Sequence, residues 1–339
     1  MRVAVFGTKS YDRLSLEAAN TRFSHLLTFL EPRLDIDTVP LAHGFPAACV
    51  FVNDLVDAAV LEALHAGGTR VVALRCAGHN NVDLAAAARL GIAVVRVPAY
   101  SPHAVAEFTI GLMLALDRNI HRAWARTRDN NFALDGLVGR TLHGRTVGVV
   151  GTGRIGAIVA RALLFGFGCE VLTFDPAPDD ALLADGVRYV DQATLLDRAE
   201  IISLHCPLTP ETRHFIDAAA IARARPGLMI VNTSRGALID TTAVIEGLKS
   251  RKLGGVALDV YEQEESLFFE DLSSEIIQDD VFQRLLTFPN VLVTGHQAYL
   301  TAEALAAIAE TTLASLSDFE AGRPLIHQLS SPRTRAPHR

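Results

Sequence analysis

The chain has 339 residues, half of them hydrophobic and a fifth charged, with 31 Lys and Arg against 38 Asp and Glu for a net charge of -7. Such a length exceeds what one hydrophobic core usually serves, so two domains are expected, and the apolar content excludes a disordered chain. The acidic balance, a pI near 5.9, excludes a general binder of nucleic acid or of anionic membrane, because phosphate affinity rests on clustered Lys and Arg. The partners expected are small molecules and further copies of the chain.

Cys49, Cys76, Cys169 and Cys206 lie far apart without metal-ligand spacing. They read as free thiols rather than a metal site, and Cys49, Cys169 and Cys206 adjoin apolar runs that would bury them. The N-terminal run Met1 to Gly7 lacks the features of a signal peptide, and no apolar stretch is long enough to span a bilayer. A cytoplasmic location is expected.

Short Val- and Ile-rich runs alternate with longer Ala- and Leu-rich stretches of helical period, which predicts an α/β fold built on parallel sheets with crossover helices. In chain order the predicted strands are Val3 to Phe6, Cys49 to Val52, Val71 to Leu74 and Ala93 to Val97. A boundary is expected at Pro98-Ala99-Tyr100-Ser101-Pro102, where Ser101 can cap a helix starting at Pro102 and running to about Arg128. Ile110, Met113, Leu114 and Ile120 on that helix have core-like spacing and would pack on their own sheet or on a second copy. The later strands are Thr146 to Val150, Val171 to Phe174, Ile201 to Leu204, Met229 to Asn232, Gly255 to Leu258 and Val291 to Thr294. The acidic stretch Glu262 to Asp280 reads as a solvated excursion, Glu264 excepted. Residues 331–339 read as a flexible tail.

Gly151-Thr152-Gly153-Arg154-Ile155-Gly156 follows the strand Thr146 to Val150 directly and opens a helix of apolar period. This is the setting in which a glycine-rich turn binds a dinucleotide. Gly151 permits the turn, Gly153 lets the backbone approach a pyrophosphate, and Gly156 allows close helix packing. Asp175 ends the next strand, 19 positions after Gly156, where a carboxylate accepts from ribose hydroxyls and repels a 2'-phosphate; NAD is therefore the expected cofactor. As an alternative, Asp175 is a turn residue ahead of Pro176. His205, Cys206 and Pro207 follow the strand Ile201 to Leu204 at the same sheet edge, and Pro207 is expected to touch the cofactor.

Three further strands carry polar residues at or beyond their carboxyl ends: Thr233-Ser234-Arg235-Gly236, Asp259 through Glu264, and Gly295-His296-Gln297. Reduction of a 2-oxo acid needs a cation for the carboxylate, a proton donor for the carbonyl oxygen and a group that keeps the donor protonated. Arg235, His296 and Glu264 supply these three chemistries. Singly each has a plain reading as salt bridge, capping histidine or solvated charge; together they would be three coincidences at one end of a sheet. Asp259 is expected to orient the nicotinamide or to support the cationic residues, a turn cap being its alternative.

On Gly151 to Gly156, Val231 to Gly236, Asp259-Val260-Tyr261-Glu262 and the late His296, the chain resembles the D-isomer-specific 2-hydroxyacid dehydrogenases along nearly its whole length. Leu74-Arg75-Cys76-Ala77-Gly78, Val97-Pro98-Ala99-Tyr100 and Leu267-Phe268-Phe269-Glu270-Asp271 are most similar to members that reduce pyruvate to D-lactate. The resemblance implies a catalytic triad of Arg235, Glu264 and His296, with His296 as acid and base. It also implies NAD contacts that include Arg154, Ile155, Thr233, Ser234 and Asp259, and a substrate site formed with the backbone of Ala77 and Gly78 and lined by Tyr100 and Tyr299. Two Rossmann-like domains are implied, an NAD domain over residues 101–299 inserted into a substrate domain made of 1–100 and 300–330, in a homodimer or homotetramer. Gly295 departs from the Pro found in many members. Other 2-oxo acids (hydroxypyruvate, phenylpyruvate, branched acids) remain alternatives, as does a non-catalytic NAD-sensing protein.

Overall fold

The computed structural model describes residues 1–329, which form two compact units: Met1–Ser101 with the chain from Leu300 onward, and Pro102–Tyr299. The tail expected at residues 331–339 lies outside the described residues.

In the first unit, β1 (Arg2–Val5), β2 (Leu26–Phe29), β3 (Ala47–Val50), β4 (Val71–Leu74) and β5 (Ala93–Arg96) form one parallel sheet in the order β2-β1-β3-β4-β5. Every residue of β3 and β4 is buried; such unbroken apolar runs are what strands covered on both faces require. Val3, Val5, Val71 and Val95 pack in one cluster with Leu16 of helix Ser10–Asn20 and with Ala309, Leu313 and Leu316 of helix Ala302–Glu320. Each buried Val or Leu among them contributes about 1.5–3 kcal/mol by leaving water. Helices Ala58–Ala66 and Leu84–Leu90 are started by Asp57 and Asp83, whose carboxylates accept from the N–H of Val60 and Ala86. In this unit the sequence reading misses β2, an edge strand with Leu26 and Thr28 exposed; in the other unit it misses the two-residue strand Arg188–Tyr189. The four-residue apolar run of β2 has no period that separates strand from helix.

The second unit holds β6 (Thr146–Val150), β7 (Glu170–Phe174), β8 (Arg188–Tyr189), β9 (Ile201–Leu204), β10 (Leu228–Asn232), β11 (Leu253–Leu258) and β12 (Val291–Val293), all parallel, in the order β12-β11-β10-β9-β6-β7-β8. Chain order reverses between β6 and β9, whose registers pair Val150 with Leu204. In a doubly wound sheet the crevice outside the carboxyl ends of two such strands is the ligand site. Two apolar clusters fill this unit, one including Leu195, Ile221, Val244 and Leu285, the other Met113, Val159, Leu163 and Leu182.

Two expectations are corrected here. The helix from Pro102 stops at Asp117 and a separate helix runs over Ile120–Arg128. Asn119 takes φ 53°, and the N–H of Arg140 bonds the Asp117 carbonyl while its guanidinium grips the Asp117 carboxylate at 2.8 Å. The returning chain thereby captures the acceptor that a continuous helix would use. Met113 is buried as its spacing predicts, whereas Ile120 is 54% exposed. The acidic stretch is likewise less solvated than expected, because Phe268 packs with Tyr261 and Phe282 in a small core while Glu265, Glu270 and Asp271 stay exposed. None of the four cysteines is joined in a disulfide, and all are buried. Among the described residues no helix is long and apolar enough to cross a membrane.

Candidate active site

The glycine-rich turn sits at the reversal point of the larger sheet. Gly151 has φ +88°, and a Cβ there would lie 2.6 Å from the Cys206 nitrogen, so the turn after β6 presses against the one after β9 only because the residue is glycine. At Gly156 a Cβ would collide with the Gly151 carbonyl oxygen. Gly153 is different: a Cβ there meets no protein atom within 4 Å. Protein packing does not require that glycine, and the open space above it, at the start of helix Arg154–Arg161, fits a pyrophosphate approaching backbone N–H groups.

Asp175 accepts from the N–H of Thr152 at 2.7 Å and of Ala177 at 2.8 Å. It therefore forms a turn, as its alternative reading has it, and at the same time stands beside the glycine-rich loop with lone pairs left for hydroxyl donors. Beyond β9, the His205 ring meets Ser203 Oγ at 2.8 Å, Cys206 is buried and Pro207 is exposed. Burial pushes His205 down to about 4 and the Cys206 thiol up to about 11, so both face the site as neutral groups.

Asn232, unassigned from sequence, organises the loop after β10. Its amide donates to the Arg235 carbonyl at 2.8 Å and accepts from the Ser234 N–H at 3.0 Å. An Asn ahead of a polar Gly-containing turn is the signal that could have found it. Ser234 Oγ donates to the Cys206 carbonyl at 2.8 Å, tying this loop to the one after β9. The Thr233 hydroxyl is turned to Thr109, 2.8 Å away. Arg235 is half-buried, its Nη1 on the Ser234 carbonyl at 2.6 Å. A Cβ on Gly236 would overlap the Tyr261 carbonyl group, so this glycine sets the Arg235 loop directly on the chain that leads to Glu264.

His296 and Glu264 meet: Nδ1 and Oε1 are 2.8 Å apart, and the second carboxylate oxygen of Glu264 accepts from the Tyr261 N–H at 2.9 Å. A carboxylate opposite Nδ1 fixes the proton there and leaves Nε2 for chemistry. The Phe269 ring lies 5.6 Å from the imidazole, another neighbour the sequence did not assign. Asp259 is fully buried; its carboxylate accepts from Thr294 Oγ1 at 2.5 Å and from the N–H groups of Gln297 and Ala298 at 2.9 and 2.8 Å. Burial pushes its pKa up against these bonds and the nearby His296. All these acceptances fix the loop on either side of His296, beside Gly295, where many members have Pro. Tyr299, just beyond, is buried.

In the smaller unit, Ala77 and Gly78 form the half-buried loop after β4, and Tyr100 is half-buried beyond β5. The Ala77 and Gly78 N–H groups have no hydrogen-bond partner among the described residues, an arrangement able to receive a carboxylate.

Residues 110–298 match the family model of the D-isomer specific 2-hydroxyacid dehydrogenase NAD binding domain. The chain is 54% identical over 329 residues to the D-lactate dehydrogenase of Escherichia coli, covering 97% of this chain and all of that one. The apo structure of the E. coli enzyme superposes with a TM-score of 0.89 at 51% identity, over 97% of this chain and 100% of that chain. The Aquifex aeolicus D-lactate dehydrogenase, solved with NAD and lactic acid, gives 0.86 at 30% identity over 97% and 99%. The chain belongs to the D-isomer specific 2-hydroxyacid dehydrogenases and is an NAD-dependent oxidoreductase acting on a CH–OH group.

Proposed function

We propose that the protein is a fermentative D-lactate dehydrogenase of the cytoplasm, reducing pyruvate to D-lactate with NADH. The observation that carries the reading is the His296–Glu264 pair at 2.8 Å on the larger unit, joined to likeness with D-lactate dehydrogenases over nearly the whole chain.

The cofactor would be held by Gly151, Gly153, Arg154, Ile155 and Gly156 at its phosphates, by Asp175 at the ribose, and along the loops of His205 to Pro207 and Thr233 to Ser234. When bound, the reduced nicotinamide supplies the hydride that reaches the carbonyl carbon. His296, protonated at both nitrogens, delivers its Nε2 proton to the carbonyl oxygen as negative charge develops there, and Glu264 stabilises the imidazolium before transfer. Arg235 binds the carboxylate through a planar donor fork that cannot lose its charge. Asp259 holds the loop that presents His296 and, from that position, would orient the nicotinamide. On the smaller unit, the Ala77 and Gly78 amides bind the substrate carboxylate. Tyr100 and Tyr299 line the substrate site.

The test is the initial rate of NADH oxidation with pyruvate beside phenylpyruvate and hydroxypyruvate, followed by chiral assay of the product. Fast turnover with pyruvate and D-lactate as product is expected. Preference for another acid would move the substrate, and NADH binding without turnover would overturn catalysis.

We further infer a homodimer or homotetramer. Arg126 donates to the Ala133 and Asp135 carbonyls and Arg122 to that of Gly136, folding the chain back along helix Ile120–Arg128. This segment carries Trp124, Phe132, Leu134 and Val138, each more than 60% exposed, a density of surface apolar groups that supports burial against another copy. Sedimentation as a monomer would overturn it.

A further inference from the structure

The loop that leaves β4 has four consecutive carbonyls, and each is held. The Val97 N–H donates to Cys76 O at 3.2 Å, Arg96 Nη1 to Ala77 O at 2.8 Å, Cys76 Sγ to Gly78 O at 3.2 Å, and the Val82 N–H to His79 O at 3.2 Å. In a trans peptide the C=O and the following N–H point to opposite sides. The N–H groups of Ala77 and Gly78, which have no partner among the described residues, therefore belong to the peptides whose carbonyls Val97 and Arg96 grip, and they are aimed away from those grips.

Of the four donors only Arg96 carries a charge. Its Nη1 uses its two protons on Ala77 O and on His79 Nδ1, 3.3 Å away, and its own N–H is fixed to the His327 carbonyl at 3.1 Å. A cation bonded to a carbonyl polarises that peptide and makes the N–H at its other end a stronger donor.

We propose that Arg96 is a positioning residue for substrate: through the Ala77–Gly78 peptide it orients and polarises the Gly78 N–H toward the carboxylate of the 2-oxo acid, with Cys76 holding the next peptide in the same sense. This rests on the reading of Ala77 and Gly78 as carboxylate donors. Arg96 does not touch the substrate, so its contribution is uniform binding and appears in KM rather than kcat.

The experiment compares Arg96→Gln and Arg96→Lys with the unmodified protein in NADH-dependent pyruvate reduction and in inhibition by oxamate, an unreactive 2-oxo carboxylate. For Arg96→Gln the expected result is a rise of about tenfold in both the KM for pyruvate and the Ki for oxamate, with kcat within about twofold, and a partial return in Arg96→Lys. Unchanged KM and Ki, or a fall confined to kcat, would overturn the role of Arg96 while leaving the enzyme reading intact. An unmodified protein that reduces pyruvate but is not inhibited by oxamate, or one that reduces no 2-oxo acid, would overturn the underlying site reading as well. If Arg96→Gln does not fold, Arg96→Lys decides the matter: a several-fold rise in the KM for pyruvate and the Ki for oxamate with kcat kept supports the role, and unchanged KM and Ki overturn it.

Discussion

His296 carries its imidazole on a backbone at φ 55°, a left-handed conformation that costs a non-glycine residue about 1–3 kcal/mol and persists only where surroundings hold it. Asp259 is the holder, and Asp259→Asn sets an NH2 group where an N–H or O–H donor now bonds. We expect kcat to fall about 10- to 100-fold, with NADH affinity kept. His296→Gln should lower kcat by about 10²–10⁴-fold while fluorescence titration returns the same Kd for NADH; undiminished turnover would remove His296 from the chemistry. Asp175→Ala should narrow the NADH over NADPH preference in kcat/KM, and an unaltered ratio would refute the ribose role. His205 gives a pH signature. Its folded pKa of about 4 lies below the roughly 6.5 of the unfolded chain, so its share of stability is complete above pH ~6.5 and is lost as pH falls toward 4, where the unfolded state takes up the proton first. Discounted for a partly exposed ring, the loss is about 1–2 kcal/mol, and His205→Gln should flatten the fall in denaturation midpoint by that amount. Arg235, Glu264 and His296 were legible one by one from the chemistry a 2-oxo acid demands. Asn232 was readable from its local turn chemistry, but Thr294 was not, because its work is a hydrogen bond to the Asp259 carboxylate, 35 residues earlier, which only the folded loops bring near.

At the scale of elements, the glycine-rich turn separates two jobs that the sequence motif merges. Gly151 is required by the protein and Gly153 by the ligand. Gly151→Ala, with positive φ and a 2.6 Å approach to Cys206, should destabilise the fold by about 1–3 kcal/mol or more as well as weaken NADH binding. Gly153→Ala should leave the Tm within about 1 °C, since its Cβ meets no protein atom, a change of a few tenths of a kcal/mol at most, yet raise the Kd for NADH. Equal losses of Tm in the two variants would refute the distinction. The central strands were readable because both faces are covered and the sequence is apolar without interruption. The break at Asn119 was not, because apolar period continues through it and the competing donor to Asp117 comes from Arg140, 23 residues beyond Asp117 in the chain.

Across the whole molecule, the unit Pro102–Tyr299 has its own sheet and its own apolar clusters on both faces. Residues 102–299 produced alone are expected to unfold cooperatively and to bind NADH; a fragment that does neither would show that its core is incomplete. Arg75 tests the other unit. It is 1% exposed, bonded to Asp12 Oδ1 at 3.3 Å and the Gly7 carbonyl at 2.9 Å, with its Nη1 unpaired. Although burial alone would lower its pKa, the charges of Asp12 and Asp54 hold it above its usual value. Arg75→Met would strand Asp12 and Asp54 in the interior, and we expect a loss of about 3–5 kcal/mol by chemical denaturation. By itself the sequence determined the α/β class, the cofactor turn and the residue types of the reaction, because strand burial, phosphate binding and proton transfer each demand particular residues at short spacing. Only the tertiary structure decided that Glu264 reaches His296, that Asp259 faces inward to hold a loop, and that Arg75 is interior, since burial and pairing between distant positions arise only when the sheets have closed.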